Sequence, residues 1–379
     1  MRHVAIVTEA RSSFSYFRPI VRLIEDDDSM THSLLVVSQH LLPAFGYTVE
    51  EIEREGLDIS DRLYSVFDGY TPATMAKSTG ALMMSLTDSF VRLRPDWVLV
   101  LGDRGESLAA AYTAATMNIP VAHVQAGERS GNVDGMTRHA ITRFAHLHFA
   151  SGEEAAERLR RMGEEEWRIA TVGAPQLDEL LRRSFADPEQ IAAQFEIDLD
   201  RPLLLVLQHP VTEDFGEGAD QMQATLEAVC ELGEQTILVF PNSDAGSEDI
   251  RRVIGQYRRP FIRVERNLPH HAYAGLMNVA TAMVGNSSSG IIEAPLMGLP
   301  AVNVGDRQRE RARASNVIDV PHKREAIVDA LRRAMSLEFR AQMSTDSPYV
   351  GDGQVSERIL EILRTTTIDH KLMTKQIVY

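Results

Sequence analysis

The sequence has almost no cysteine, since Cys230 is the only one among 379 residues. An intramolecular disulfide and a thiolate metal cluster both require more than one cysteine, so both are excluded. A single cysteine is typical of proteins that work under reducing conditions. The sequence therefore predicts a cytoplasmic location.

Long hydrophobic runs are also missing, because no stretch of about 18 consecutive apolar residues occurs. The chain begins directly with a strand pattern, Met1–Val7. A secretory signal would need a longer apolar stretch and a cleavage site of small residues. We therefore expect neither a membrane-spanning helix nor a membrane partner.

Positive charge is scarce relative to negative charge. The chain has 39 lysines and arginines against 54 aspartates and glutamates, which gives a formal net charge of −15. A chain of this charge repels nucleic acid, so we expect no nucleic-acid partner. A pocket of helix N-termini and a few arginines can still bind a small anion.

The chain length suits two domains, and the hydrophobic pattern predicts their class. Short aliphatic runs alternate with helical stretches, and the runs are continuously apolar, which is typical of parallel strands buried on both faces. The predicted strands are His3–Thr8, Ser33–Ser38, Trp97–Leu101, Val121–Val124, Leu147–Ala150, Ile169–Val172, Leu203–Leu207, Thr236–Phe240, Phe261–Val264, Thr281–Val284 and Ala301–Val304. This pattern predicts an α/β protein of two Rossmann-like domains with a ligand cleft between them.

The polar stretch from Arg182 to Pro202 interrupts the strand–helix rhythm and is the best candidate for a linker. It divides the chain into a first domain at 1–185 and a second at 200–354. A last segment, 355–379, contains apolar residues at helical spacing in Val355–Leu363, and this helix could pack back on the first domain.

Asp103 and Arg104 follow the predicted strand Trp97–Leu101, at the edge where the cleft is expected. An aspartate in this position can simply cap the next helix, or it can do chemistry. A guanidinium beside it suits a phosphate or a base. Both interpretations of Asp103 stay open on the residues alone.

Gln125, Glu128 and Asp134 lie on a glycine-punctuated loop after the next strand. Paired carboxylates are the usual means of moving protons, although a loop of this composition can also be merely solvated. The nearby histidines lack the helical spacing of a zinc motif, so we predict no metal.

The second half places polar residues after its own strands. His209 follows Leu203–Leu207, and Asn242 follows Thr236–Phe240. Ser287 and Ser288 are expected to open a helix, whose free N–H groups favour an anion, and Glu293 lies one turn further on. Neither a Walker A loop nor the dinucleotide fingerprint is present, so no cofactor is predicted.

Together these segments resemble the hydrolysing UDP-N-acetylglucosamine 2-epimerases from Met1 to about Leu363. The resemblance is carried by four blocks in family order: Gly102-Asp103-Arg104, Arg138-His139-Ala140-Ile141-Thr142, Gly285-Asn286-Ser287-Ser288-Ser289-Gly290 and Gly305-Asp306-Arg307-Gln308. It implies the glycosyltransferase-B type of fold, a UDP-sugar substrate and a homodimer or homotetramer. It also implies elimination of UDP across C1–C2, followed by addition of water with inversion at C2. Non-hydrolysing relatives have a longer loop after the strand that corresponds to Val121–Val124. The short loop here therefore favours the hydrolysing branch.

The resemblance also assigns roles to residues. Asp103 and Asp134 match the catalytic acids, and His209 matches a histidine that contacts the nucleotide and can assist its departure. The positions that match nucleotide-binding residues are Arg11, Ser15, Arg104, Asn242, Ser287, Ser288, Glu293 and Arg307.

Two positions depart from the family pattern. Gln125 stands where the family usually has a glutamate, and Gly135 replaces the second of two paired acids. An amide cannot carry a proton, so either Glu128 has taken over this work or the site is disabled.

Three functions therefore stay open: a hydrolysing 2-epimerase, a glycosyltransferase of the same fold, and a nucleotide-sugar binding protein without turnover. The substrate that the resemblance implies is UDP-N-acetylglucosamine or a 2,4-diacetamido relative.

Overall fold

The protein contains two separate sheets, both entirely parallel, in a computed structural model that describes residues 1–130, 133–344, 346–349 and 351–378. The strands of the first sheet are β1 (Arg2–Thr8), β2 (Met30–Val37), β3 (Ile59–Leu63), β4 (Trp97–Leu101), β5 (Val121–Val124), β6 (Leu147–Ala150) and β7 (Ile169–Thr171). Those of the second are β8 (Leu203–Leu207), β9 (Gln235–Val239), β10 (Ile262–Glu265), β11 (Ala282–Gly285), β12 (Ala301–Val304) and β13 (Val317–Val320).

Both sheets reverse their strand order in the middle. The first runs β3-β2-β1-β4-β5-β6-β7, and the second runs β10-β9-β8-β11-β12-β13. The reversal lies between β1 and β4 in one sheet and between β8 and β11 in the other. Ligands of doubly wound folds bind at such points, outside the carboxyl ends of the strands. The predicted α/β class with two Rossmann-like domains is confirmed.

Helices cover both faces of each sheet. They are α1 (Arg11–Glu25), α2 (Val49–Arg54), α3 (Pro72–Leu93), α4 (Gly105–Thr116), α5 (Val133–Phe144), α6 (Glu153–Arg161), α7 (Gln176–Leu181), α8 (Pro188–Phe195), α9 (Gly218–Leu232), α10 (Ser247–Gln256), α11 (His270–Val279), α12 (Ser289–Ile292), α13 (Arg324–Ala334), α14 (Leu337–Gln342), α15 (Val355–Thr365) and α16 (His370–Met373). Every side chain of β4, β5, β6 and β8 is buried, as expected for strands covered on both faces.

The helix α15 joins the core of the first domain, although it follows the second domain in sequence. Val355, Ile359 and Leu363 are fully buried in the same cluster as Phe17 and Ile20 of α1. The carboxylate of Asp178 accepts backbone hydrogen bonds from the start of α15, at 3.1 Å and 2.8 Å. This N-terminal cap fixes the point at which the chain returns. The domain bounds 1–185, 200–354 and 355–379 stay a proposed division.

Several local features differ from the expectations. The expected linker, 182–202, contains α8, which begins after Asp187 with a capping box. The strands β3 and β13 lie at the outer edges of their sheets and contain polar residues, so they lack the continuous apolar pattern. The expected loop around Asp134 is the first turn of α5. A carboxylate there interacts favourably with the helix dipole. None of the described helices combines the length and apolar character needed to cross a membrane.

Candidate active site

A cleft lies between the two domains, at the carboxyl ends of both sets of strands. Residues from both domains line it. The predicted site residues among them are Arg11, Ser15, Asp103, Arg104, Gln125, Asp134, His209, Asn242, Ser287, Ser288, Glu293 and Arg307. Glu128 is the one predicted residue that does not line this cleft. The structure therefore brings together residues that lie up to three hundred positions apart in the sequence.

Asp103 lies directly after β4 and is held by a cation. Gly102 before it has a positive φ of 68°, which turns the chain sharply at the end of the strand. The carboxylate of Asp103 pairs with the buried guanidinium of Arg138 and accepts a 2.7 Å hydrogen bond from the hydroxyl of Ser130. Burial opposes ionisation, but Arg138, Arg311 and Ser130 outweigh it and lower the pKa of Asp103 to about 2.

The surroundings of Asp134 raise its pKa, whereas those of Asp103 lower it. Burial in the cleft raises the pKa of Asp134 to about 7, and the neighbouring carboxylates of Asp103 and Asp244 add to this rise. Arg307 lies 3.9 Å away across the cleft and only partly compensates. A carboxyl group with a pKa near neutrality can both take up and release a proton at the pH of a cell.

Gln125 and Glu128 occupy different positions on the segment between β5 and α5. Gln125 lines the cleft, whereas both carboxylate oxygens of Glu128 are buried outside the lining and lie 3.9 Å or more from Arg311. The arginines nearest to Glu128 in the sequence are Arg129 and Arg138. Arg138 instead pairs with Asp103, and Arg129 pairs with Glu310 at 3.2 Å.

His209 lies at the end of β8, on the opposite wall. Its Nδ1 accepts a 3.0 Å hydrogen bond from the backbone N–H of Asn242, and the backbone N–H of His209 donates to the side-chain oxygen of Asn286 at 2.6 Å. Burial lowers the pKa of His209 well below its usual value, and the nearby Arg307 and Arg104 contribute to this. The ring is therefore neutral, and because Nδ1 accepts, the proton lies on Nε2 as a hydrogen-bond donor.

The serine-rich turn after β11 differs from the expectation. The predicted helix is only the single turn α12, Ser289–Ile292, because the chain continues into a 3₁₀ turn that contains Pro295. A helix this short has little dipole. Binding of an anion here has to come from the hydroxyls, free N–H groups and arginines of this wall. Burial raises the pKa of Glu293 to about 7.

Two arginines of the first domain already contact the second domain. Arg104 pairs with Asp244, and Arg11 donates to the carbonyl of Leu268 and stacks 5.2 Å from the ring centre of Tyr273. These contacts hold the two walls of the cleft close together in this conformation.

The sequence interpretation overlooked several residues that line the cleft. Burial and the nearby Glu106 raise the pKa of Glu9 to about 8. Tyr16, Tyr273 and Arg311 also line the cleft. Glu9 follows β1 directly, so its position at a strand end was a usable signal. Tyr16 and Tyr273 belong to helices and gave no such signal.

Comparisons with known proteins agree with this geometry. The family model described as UDP-N-acetylglucosamine 2-epimerase matches residues 22–364. A UDP-N,N'-diacetylbacillosamine 2-epimerase (hydrolyzing) of Legionella pneumophila is 36% identical over 376 residues, which cover 99% of both chains. A GDP/UDP-N,N'-diacetylbacillosamine 2-epimerase (hydrolyzing) of Campylobacter jejuni is 31% identical over 323 residues, which cover 84% of both chains.

Among solved structures, the UDP-GlcNAc 2-epimerase of Neisseria meningitidis bound to UDP-GlcNAc superposes with a TM-score of 0.81 at 19% identity. The match covers 97% of this chain and 100% of the other. At this level of identity the superposition shows the shared fold.

Proposed function

The chain belongs to the UDP-N-acetylglucosamine 2-epimerase family, and we propose that it is a hydrolysing 2-epimerase of a UDP-2-acetamido sugar. The observation that carries this proposal is the pair Asp103 and Asp134, two carboxyl groups with oppositely shifted pKa values in one cleft. The names of the relatives from Legionella and Campylobacter favour a 2,4-diacetamido sugar over UDP-N-acetylglucosamine.

The reaction that we propose has two steps. In the first, a base removes the proton from C2 while the bond from C1 to the diphosphate oxygen breaks, and UDP leaves with the electron pair. In the second, water adds its oxygen to C1 and loses a proton, while C2 receives a proton on the opposite face. The products are UDP and the free sugar with inverted C2.

We assign proton transfer on one face of C2 to Asp134, because a pKa of about 7 lets it exchange a proton at the pH of a cell. Asp103 stays ionised beside Arg138 and stabilises positive charge that develops at C1. The neutral ring of His209 donates from Nε2 to the departing diphosphate. Each of these roles is chemically independent of a metal or a cofactor.

We assign nucleotide binding to the wall of the cleft that the second domain forms, and to the arginines that face this wall. Ser287, Ser288 and Arg307 offer hydrogen bonds to the diphosphate, and Glu293 accepts from the ribose hydroxyls. Arg11, Ser15, Arg104 and Asn242 complete the predicted set. Arg104 and Arg11 now contact Asp244 and Leu268 of the second domain. We expect these contacts to break when the two arginines bind the nucleotide.

Glu128 remains a candidate for the work of the missing glutamate at Gln125. Its carboxylate lies outside the cleft lining, so a direct role requires that the ion pair with Arg311 opens. Full turnover in Glu128→Gln would exclude that role.

We further propose a cytoplasmic protein that forms a homodimer or homotetramer. Analytical ultracentrifugation of the purified chain measures the oligomeric state directly, and a monomer would contradict this part.

The test of function is incubation of the protein with UDP-N-acetylglucosamine and with its 2,4-diacetamido relative, followed by NMR. Free UDP together with the C2-inverted sugar supports the proposal. Release of UDP only in the presence of an acceptor indicates a glycosyltransferase. Binding without turnover indicates a nucleotide-sugar binding protein.

A further inference from the structure

Gln125 has an unusual backbone conformation. Its backbone φ is +58°, in the left-handed region that side chains other than glycine rarely adopt. Its carbonyl oxygen accepts a 2.7 Å hydrogen bond from Nη1 of Arg138, and its side chain is only slightly exposed, toward the cleft. Non-glycine residues in this region occur often at ligand sites, where the surroundings fix them.

The amide of Gln125 is paired with Tyr16, which projects from α1 into the same cleft. Nε2 of Gln125 donates to the hydroxyl oxygen of Tyr16 at 3.2 Å. This bond fixes the orientation of both groups. Within the described residues, neither Oε1 of Gln125 nor the hydroxyl proton of Tyr16 has a further partner. The cleft therefore contains one neutral acceptor and one neutral donor side by side.

Proton transfer is not the work of this pair. An amide does not exchange protons at the pH of a cell, and burial raises the pKa of Tyr16 well above its usual value, with Glu293 and Glu128 adding to the rise. The hydroxyl therefore stays protonated and acts as a donor. Neutral partners complement a neutral ligand group, whereas the phosphates meet the arginines of the cleft.

A single acetamido group fits this pair incompletely. The C=O and N–H of a trans amide point in opposite directions, so one amide cannot reach a donor and an acceptor that lie side by side. Two acetamido groups on one sugar ring can do so, one through its carbonyl oxygen and the other through its N–H.

From this arrangement we propose that Tyr16 and Gln125 determine specificity for a sugar that carries two acetamido groups. The hydroxyl of Tyr16 donates to the carbonyl of one group, and Oε1 of Gln125 accepts from the N–H of the other. This inference rests on the proposed function and narrows its substrate. It also assigns a binding role to the amide of Gln125, at the position where the family pattern has a carboxylate.

The experiment compares three substrates that carry no, one and two acetamido groups: UDP-glucose, UDP-N-acetylglucosamine and UDP-N,N'-diacetylbacillosamine. We expect the wild type to have its highest kcat/KM with the third. Tyr16→Phe removes the donor and should lower kcat/KM for that sugar roughly tenfold, with a smaller change for UDP-N-acetylglucosamine. The inhibition constant of UDP should stay unchanged, because UDP lacks the acetamido groups.

Tyr47→Phe is the matched control, since among the described residues its hydroxyl bonds only to that of Tyr64, at 3.3 Å near the surface. It should leave kcat/KM for both acetamido sugars and the inhibition constant of UDP unchanged. Gln125→Glu is the second variant. Its carboxylate would draw the hydroxyl proton of Tyr16 to itself, so it should weaken the preference for two acetamido groups as Tyr16→Phe does.

Equal losses for the sugars with one and two acetamido groups would overturn the proposal, as would a parallel change in UDP binding. A gain in activity in Gln125→Glu would overturn it too, because it would mark Gln125 as the lesion of a disabled site. If the wild type does not turn over any substrate, the proposed 2-epimerase activity fails. Dissociation constants from calorimetry with the same three UDP-sugars then test the specificity of Tyr16 and Gln125 by itself.

Discussion

Asp103 and Asp134 line the same cleft, but their neighbours give them opposite properties. Asp103 has the buried cation of Arg138 against it, and its pKa falls to about 2. Asp134 lies near Asp103 and Asp244, and its pKa rises to about 7. Two residues of one type thus have oppositely shifted pKa values because of their surroundings, and we propose that one acts as a fixed charge and the other as a proton carrier.

The largest expected effect comes from removing the proton carrier. Asp134→Asn should lower kcat by about 10²–10⁴, since an amide cannot transfer the proton. The affinity for UDP should remain, because we assign nucleotide binding to the wall formed by the second domain. Steady-state kinetics and calorimetry with UDP check both statements. A near-normal kcat in a folded variant would remove the functional contrast between the two aspartates.

The cation beside Asp103 is the other half of the comparison. Arg138→Met removes the cation that pairs with Asp103, and we expect a loss of about 3–5 kcal/mol in the free energy of unfolding. Arg129→Met is the matched control, because the pair of Arg129 with Glu310 is exposed and should contribute about 0–1 kcal/mol. Urea unfolding measures both. Equal small losses would show that Arg138 does not hold Asp103 as described.

Changes in the serine-rich turn after β11 should weaken the binding of UDP and leave proton transfer unchanged. Ser288→Ala should weaken UDP binding by about 1.5–3 kcal/mol, through the loss of one hydrogen bond to a charged group. Ser85→Ala on α3 serves as the control, because that hydroxyl bonds to the carbonyl of Ala81 away from the cleft. Calorimetric titration gives the affinities. An unchanged affinity in Ser288→Ala would place the diphosphate elsewhere.

The two aspartates should also change stability with pH in opposite directions. The pKa of Asp134 is about 7 in the folded state and 3.8 in an ordinary environment, so the folded state holds the extra proton between these values. Its contribution to stability therefore falls as the pH rises from about 4 to 7. Asp134→Asn removes this penalty. As the pH rises over that range, the melting temperature of the variant should therefore increase relative to that of the wild type.

For Asp103 the sign is reversed. Its folded pKa of about 2 lies below 3.8, so its contribution is complete above pH 3.8 and is lost as the pH falls toward 2. Asp103→Asn should therefore be less stable than the wild type at pH 6, with a smaller difference near pH 2. Thermal melts at a series of pH values test both signs. Parallel curves for the two variants would contradict the comparison.

Most of the fold could be predicted from the sequence because its strands are continuously apolar. The strands β4, β5, β6, β8 and β12 have the bounds that the pattern indicated. Edge strands such as β3 carry polar residues and escape this rule. The glycines on either side of Asp134, Gly131 and Gly135, indicate a loop, yet packing against β5 and α4 stabilises the helix α5 there.

The site could be located from the sequence but its ion pairs could not. The rule that ligands bind at strand ends places Asp103 and His209 in one cleft. Which arginine meets which carboxylate depends on how the two domains approach each other. The ion pairs of Glu128 with Arg311 and of Arg104 with Asp244 cross between the domains, so no local pattern could reveal them.

The return of α15 to the first domain sets an order for biosynthesis. Domains commonly fold one after another as the ribosome synthesises the chain. Here Val355, Ile359 and Leu363 belong to the core around α1 but are translated after the whole second domain. The nascent first domain therefore has an open hydrophobic face until α15 has been translated. That face closes only after α15 leaves the exit tunnel, so the first domain completes its core after the second domain has been translated.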